Sequence, residues 1–518
     1  MKKSLVAVGI IVALGAAWTG ASWYTGKQIE QRIDQSISRA NAEMKKAFPE
    51  TGLMLQSKDF HRGVFSSDVR LVLTIKDGVK NAEIKPGEEI SIKSVIDHGP
   101  FPLAQVKKLT LIPSMASVHS ELENNESLKP LFEITKGKSL FTSDSRVSYS
   151  GSVISDVDIV PVDFEKNGAK FNFSGAKLTS DLSRDLKEIS LAIKSDQLAI
   201  NKNDENFLVK GIDLNLANKK GKFDLYIGDQ SIKVQEISLK GIGNEDMMLS
   251  GVKIDSNIGE DEANLKGKIT YSLDGLKLKN IDFGSGKFAI TADRLDGEAV
   301  RKFTQAYNDA AAKALSSGDL SSDAADTAII DAVLSNLPIL LKNNPQFGIE
   351  PLTWKNAKGE STINYHVSLK SLPKDKSSLY SMKTEEAIRA LIQNMSLNVT
   401  LPRPMMIEFS TQSMILNGMD KAKAEQNAEQ QIKQFEQLGQ LFKITTVDKD
   451  AISIKFNYAD GNVEMNGKKM PLHQFLSEYY LSGPSDDEVP EQPEQIVPKG
   501  DNHDSGKVKS EGTVQPAQ

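Results

Sequence analysis

The chain predicts an α+β protein, predominantly antiparallel β with helical insertions, built on a single N-terminal transmembrane helix and a curved, bulged sheet. Three features carry this reading. After Met1-Lys2-Lys3 no charged side chain occurs until Lys27. From Gly52 to about Ile290 the apolar residues recur with period two, the mark of strands buried on one face. After Asp296-Gly297 the period returns to three or four, the mark of helices.

Residues 1–26 read as the anchor. As a helix, the apolar stretch containing Leu5, Val8, Ile10, Ile11, Val12 and Leu14 approaches the ~30 Å hydrocarbon core of a bilayer at ~1.5 Å per residue. A cleaved secretory signal and a retained span both fit such a stretch, and Gly15-Ala16-Ala17 offers a weak cleavage site. Trp18, Trp23 and Tyr24 favour the span, because aromatic residues gather where a helix leaves the bilayer. Lys2 and Lys3 place the N-terminus inside, hence the body outside the cytoplasm.

Residues 27–48 carry Ile29, Ile33, Ile37, Ala40, Met44 and Phe48 as a narrow apolar stripe on one helix face. Two uses are open: packing on the chain's own body, or a homodimer seam through Ile29, Ile33, Ile37 and Met44. Pro49 ends the helix.

Residues 49–296 form the β-rich region. Leu71, Leu73 and Ile75 alternate, as do Leu191 and Ile193, Leu214 and Leu216, Phe223, Leu225 and Ile227, and Ile269, Tyr271 and Leu273. Turns such as Asp77-Gly78 and Asp274-Gly275 punctuate them. Parity slips across Gly211 and between Val234 and Ile237, where bulges would bend the sheet. A sheet bent in this way either closes over a packed core, the default expectation, or leaves an apolar groove.

Residues 297–345 read as a helical hairpin, with Val300, Phe303 and Tyr307 on the first helix and Ile330, Val333 and Leu337 on the second. Residues 346–481 are an α+β region. It holds strands around Ile363, Leu397 and Ile454, a long polar helix from about Met414 to Leu441, and a terminal helix through Leu472, Phe475 and Leu476. The helix core stripe is Ile432, Phe435, Leu438 and Leu441. Residues 482–518, with five prolines and eight acids against three lysines, read as a disordered acidic tail.

The chain carries 63 basic and 69 acidic residues, net −6, and the tail accounts for −5 of it. The body therefore lacks the broad positive field of a nucleic-acid binder. No cysteine is present, so disulfides, Cys-based metal sites and a lipid-modified Cys are excluded.

No catalytic, cofactor-binding or metal site is read from the residues. The six histidines include no pair at metal-ligand spacing. Gly284-Ser285-Gly286-Lys287 lacks the flanking residues of a phosphate loop and reads as a tight strand connection. Asp97-His98 is the least poor acid–base pair, but Gly99-Pro100 beside it makes a turn the simpler reading.

Asp59-Phe60-His61-Arg62-Gly63-Val64-Phe65-Ser66-Ser67, the stretch from Asp97 to Ser117, and Asn466-Gly467-Lys468-Lys469-Met470-Pro471-Leu472 together resemble the YdgA/YihF-like family of inner-membrane-anchored bacterial proteins. The Gly63-Val64-Phe65-Ser66 and Asp97-His98-Gly99-Pro100 blocks are its most specific parts. The resemblance implies one inner-membrane helix, a periplasmic body and no assigned activity, so it supplies no catalytic residue. More loosely, the tethered β-rich plan looks like AsmA-type envelope proteins, to which lipid conduction along an apolar groove is ascribed. The expectation is an envelope protein without catalysis that binds lipid or another amphiphile, with a dimeric membrane-tethered scaffold or adaptor as the alternative.

Overall fold

The computed structural model describes residues 2–47, 52–75, 88–242, 246–316, 340–371 and 382–479. The first described element is one helix, α1 (Lys2–Ala47), so the charge-free stretch and the amphipathic stripe share a single helix of about 69 Å at ~1.5 Å per residue. No helix among the described residues is long and apolar enough to cross a membrane. The side chains of Leu5, Val8, Ile10, Ile11 and Val12 lie outside the described set.

All described strands belong to one antiparallel sheet. It begins with β1 (Leu53–Arg62), β2 (Ser66–Ile75), β3 (Ile90–His98), β4 (Ala116–Leu122), β5 (Phe141–Val147) and β6 (Val153–Ile159), each paired with the next. The short hairpin β7 (Val162–Lys166) and β8 (Ala169–Phe173) follows, then β9 (Ala176–Leu182), which pairs back to β6. β8 and β9 share one edge of β10 (Glu188–Lys202), end to end. Long strands come next: β11 (Glu205–Lys220), β12 (Tyr226–Lys240), β13 (Met247–Glu260), β14 (Asn264–Leu278) and β15 (Ile281–Asp296). They continue the meander into β16 (Gln346–Asn356), β17 (Gly359–Leu369) and β18 (Ile392–Pro402). β18 pairs with β20 (Ala451–Ala459), which also takes β19 (Thr446–Asp448) and β21 (Asn462–Met465), and β22 (Lys468–Pro471) ends the sheet. Among the described residues β1 and β22 find no pairing with each other, so the sheet is open.

The parity slips fall on one line, but without the extra residue of a bulge, since the pairing keeps its register on both sides; shifted register occurs instead in pairs such as β1–β2, β14–β15 and β15–β16. The register skips Asp196 opposite Gly211, Gly211 opposite Gln235, and Gln235 opposite Gly251. Gly211 and Gly251 both have positive φ, and a Cβ on either would meet the side chain of Gln235 or Asp274 within 2.3 Å. Alternation resets at this crease, so Val209 and Ile212, three residues apart, stay on one face of the sheet.

Among the described residues seven further helices dress the sheet: α2 (Leu103–Lys107), α3 (Lys129–Ile134), α4 (Gly297–Ser316), α5 (Thr384–Leu391), α6 (Arg403–Leu416), α7 (Lys421–Leu441) and α8 (Leu472–Glu478). α4 is the first helix of the expected hairpin; the second and the acidic tail lie outside the described residues. The single polar helix expected over 414–441 is instead two helices. Gly418, at φ 88°, breaks them, and Asp420 caps α7 by accepting from the Ala422 and Lys423 amides. α7 buries Ala424, Ala428 and Ile432, while Phe435, Leu438 and Leu441 of the expected stripe are exposed. Phe223 and Leu225 lie in the turn before β12, where Phe223 fills a small core with Ile227 and Leu265.

Gly284-Ser285-Gly286-Lys287 lies inside β15 and is not a connection. The indole of Trp354 on β16 crosses Gly286 so closely that a Cβ there would sit 2.7 Å from the ring. Glycine at 286 is the space the tryptophan needs.

Candidate functional site: an apolar face left open in mid-sheet

Paired side chains on one face of the sheet line up across the strands. From β6 to β20 the register joins Val157, Leu178, Ile193, Leu214, Ile232, Ile254, Tyr271, Phe288, Leu352, Ile363, Val399 and Ile454 in one unbroken row. At about 4.8 Å per strand this apolar stripe is roughly 50 Å long. A parallel row beyond the crease runs Phe173, Leu198, Val209, Ile237, Leu249 and Leu276.

Among the described residues, helices cover this face towards its ends and none covers its middle. At the start, Ile29 and Ile33 of α1 pack on Val69, Ile96 and Ala116. At the far end α8 packs on β21 and β22, with Phe475 against Phe456 at 5.5 Å between ring centroids. α6 lies over β15–β18, and α4 over β14 and β15. Among the described residues no helix makes more than marginal contact with β9–β13. Ile232 on β12 is accordingly 39% exposed, and Tyr271 on β14 and Ile290 on β15 are 40% and 38% exposed. A closed, packed core is the default expectation, and among the described residues no second layer covers mid-sheet. Alternation dictates which residues share a face, but not whether a second layer covers it.

Under α6 and α7 the face becomes a cavity of about 1010 Å³, lined by Leu276, Leu352, Ile363, Met405, Phe409 and Phe435 among others. Volumes of roughly 300–1,000 Å³ suit small organic ligands, and methionine adapts to varied apolar shapes. Phe409 meets Phe283 and Trp354 edge-on, at 5.6 and 6.5 Å. Tyr365 is pushed above the ordinary tyrosine range by burial. The opposite face is polar where a second hollow of about 510 Å³ lies, lined by Asn215, Asp229, Asp255 and Lys268.

The Asp97-His98 pair dissolves on folding. Asp97 accepts from the Ala104 amide at the start of α2 at 2.8 Å. The His98 ring contacts the Val64 carbonyl through Nδ1 at 3.2 Å, and that oxygen only accepts, so Nδ1 carries the proton. Nε2 then accepts from the Ser67 hydroxyl at 2.8 Å. A Ser–His dyad of this kind has the polarity of an activated nucleophile. Both residues are buried, however, and α1 closes over them: a Cβ on Gly26 would lie 2.3 Å from the ring. Burial holds the His98 imidazole below its usual range, so it is neutral. The dyad locks α1 to the body and offers a substrate no approach.

The aromatic residues assigned to the anchor serve two purposes. Trp18 donates Nε1–H to the Phe101 carbonyl at 3.1 Å and packs 5.4 Å from Phe65, docked on the body. Trp23 is 45% exposed beneath Arg62 and Lys27, and Tyr24 and Leu14 are also exposed. Arg62 pairs with Glu30 at 2.8 Å, and Asn41 accepts from and donates to the Leu55 backbone, occupying the free edge of β1. Of the stripe proposed for self-association, Ile29 and Ile33 serve the intramolecular seam, while Ile37 and Met44 are half-buried. A homodimer through Ile29 and Ile33 would have to displace the body. No group of acids and histidines able to hold a metal occurs among the described residues. The cavity residues Met405 and Phe409 were absent from the sequence-derived site. Their helix follows Pro402 without a gap, and the row they cover is visible only once the register is known.

Fold and site together define the class: one antiparallel sheet whose apolar face, among the described residues, is roofed by helices towards both ends and carries none between. The chain belongs to the bacterial protein family of unknown function DUF945, whose model matches residues 1–473. It is similar to Protein YdgA of Escherichia coli K12, at 36% identity over 504 residues, covering 96% of this chain and all of that one. It is also similar to the uncharacterized protein YihF of the same strain, at 30% over 484 residues, covering 91% and 98%. An uncharacterized Haemophilus influenzae protein matches at 28% over 188 residues, 36% of this chain and half of that one. No solved structure matches.

Proposed function

We propose that the chain is a membrane-tethered protein of the bacterial envelope, without catalysis, that holds acyl chains or another amphiphile on the apolar face of its sheet. The single observation that carries the reading is the unbroken row from Val157 to Ile454, half-exposed at Ile232 and Tyr271, with half-exposed Ile290 two residues beyond Phe288 on the same strand. Water-exposed apolar surface on this scale is costly, and contiguous patches of this kind mark binding surfaces. A ligand roughly 50 Å long, or several shorter chains side by side, matches the stripe; compact polar metabolites do not. The cavity beneath α6 gives one chain a deeper seat at the C-terminal end.

The tether rests on the charge-free stretch between Lys3 and Lys27, with Lys2 and Lys3 keeping the N-terminus in the cytoplasm and the body in the periplasm. The enclosure of Ser67 and His98 beneath Gly26 supports binding over catalysis.

Site-directed photo-crosslinking in intact membranes tests the reading. A benzoylphenylalanine placed at Ile232, Tyr271 or Ile290 should yield lipid adducts by mass spectrometry. The same probe at Asn215 or Asp229, on the polar face, should not. Equal adducts from both faces, or none from the apolar one, would sink the proposal.

A further inference from the structure

We infer that the body itself enters the bilayer interface, through a loop collar around the point where α1 leaves it; this rests on the membrane-tether reading above. The two family-like blocks, remote in sequence, meet here. The His98 amide donates to the Phe65 carbonyl at 2.7 Å, and the Ser114 amide to the Pro100 carbonyl at 2.9 Å. These bonds bring the Val64 turn against the base of the loop running from Pro100 to Ser114. A Cβ on Gly99 would also lie 2.9 Å from the Tyr149 hydroxyl, so Tyr149 joins the collar.

The collar exposes large apolar side chains that nothing in the fold needs outside. Leu109 is 88% exposed, Leu111 68% and Ile112 53%, and Val64 and Tyr149 are exposed as well. Exposed Lys107 stands among them, suited to phosphate headgroups. Trp18 ties α1 to this loop through the Phe101 carbonyl and Phe65, whereas positions 13–17 are all exposed, so α1 departs from the body just N-terminal of Trp18.

Geometry then names the occupant. From Leu5 to Trp18 the helix rises only about 20 Å, some 10 Å short of a ~30 Å hydrocarbon core. The later residues Ser22 and Gly26 are held against His98 and cannot supply the missing length without undocking. Sinking the collar about 5–10 Å, the depth at which interfacial amphipathic segments sit, makes up the difference and places Leu109, Leu111 and Ile112 among acyl chains. The partner is a phospholipid bilayer surface.

The absence of cysteine makes the test direct. Leu111→Cys, Val8→Cys and Lys449→Cys, each in the full chain, are labelled with an environment-sensitive fluorophore and reconstituted into phosphatidylethanolamine–phosphatidylglycerol vesicles. The expected result is blue-shifted emission at 111, quenched by spin-labelled lipid and shielded from aqueous iodide, with 449 the reverse. Lipid quenching at 8 but iodide quenching at 111 overturns the collar inference and leaves the tether standing. Iodide quenching at both overturns the tether as well. Because Leu111 is exposed, its substitution leaves folding intact, and circular dichroism of each variant checks this.

Discussion

The same sheet face meets two fates. At its C-terminal end Tyr458, Val463, Met465, Met470, Leu472, Phe475 and Leu476 form a closed core beneath α8, with Ile388 of α5 at its margin. Seven strands away from β20, Ile232 on β12 occupies an equivalent position on the face with no described helix packed above it. Composition does not distinguish the two stretches, since both alternate aliphatic and aromatic residues with polar ones. The difference is the presence of a roof. Where a described helix covers the face it becomes core, and where none does the same alternation leaves side chains half in water.

The largest expected effect lies in the roofed end. Phe475→Ala should cost about 3–5 kcal/mol, the usual loss for a buried phenylalanine, whereas Ile232→Ala in mid-sheet should cost about 1 kcal/mol or less. Denaturant unfolding of the two variants measures this, and equal losses would break the comparison by revealing a hidden cover over Ile232.

The α1 end is roofed more tightly still. Gly26→Ala places a methyl 2.3 Å from the His98 ring and should cost about 1–3 kcal/mol by overpacking. A red shift of tryptophan emission together with faster proteolysis of α1 would report the undocking; an unchanged spectrum and digestion pattern would show that the helix is not seated on His98.

A smaller, pH-dependent effect should follow from His98 itself. Its folded-state pKa is depressed by burial, so the unfolded chain takes up the proton first as pH falls. The contribution of neutral His98 is therefore complete above the unfolded value near 6.5 and is lost as pH falls from there through the depressed folded value. Melting temperature of the wild type should fall across that window more steeply than that of His98→Asn, and parallel curves would refute the buried neutral imidazole.

The smallest change in stability should come from Ile232→Ser with Tyr271→Ser, below about 1 kcal/mol per site because both side chains are already half in water. Lipid adducts from a crosslinker at Ile290 should nevertheless drop. Retained adducts would move the binding surface away from the row and toward the cavity under α6.

Much of the fold was legible. Alternation through Leu191, Leu214 and Tyr271 marked strands, and the slip at Gly211 marked a real crease, because both signals are local. The misses have equally physical causes. The break at Gly418 carried its own local signal, Asn417-Gly418 followed by the cap residue Asp420, which the helical composition on either side outweighed, and Gly284 to Lys287 looked like a turn because glycine serves turns and close approaches alike.

The sequence alone determined the charge-free N-terminal stretch, the two-residue period of the body, and the want of cysteine and of metal-ligand spacing. Each is a property of neighbours along the chain. Only the tertiary structure decided that Ser67 and His98 meet under Gly26, that twelve apolar residues align across the sheet, and that no described helix packs on the middle of that row. Register and coverage join residues tens to hundreds of positions apart, and a period of two is the same whether the face it builds is roofed or bare.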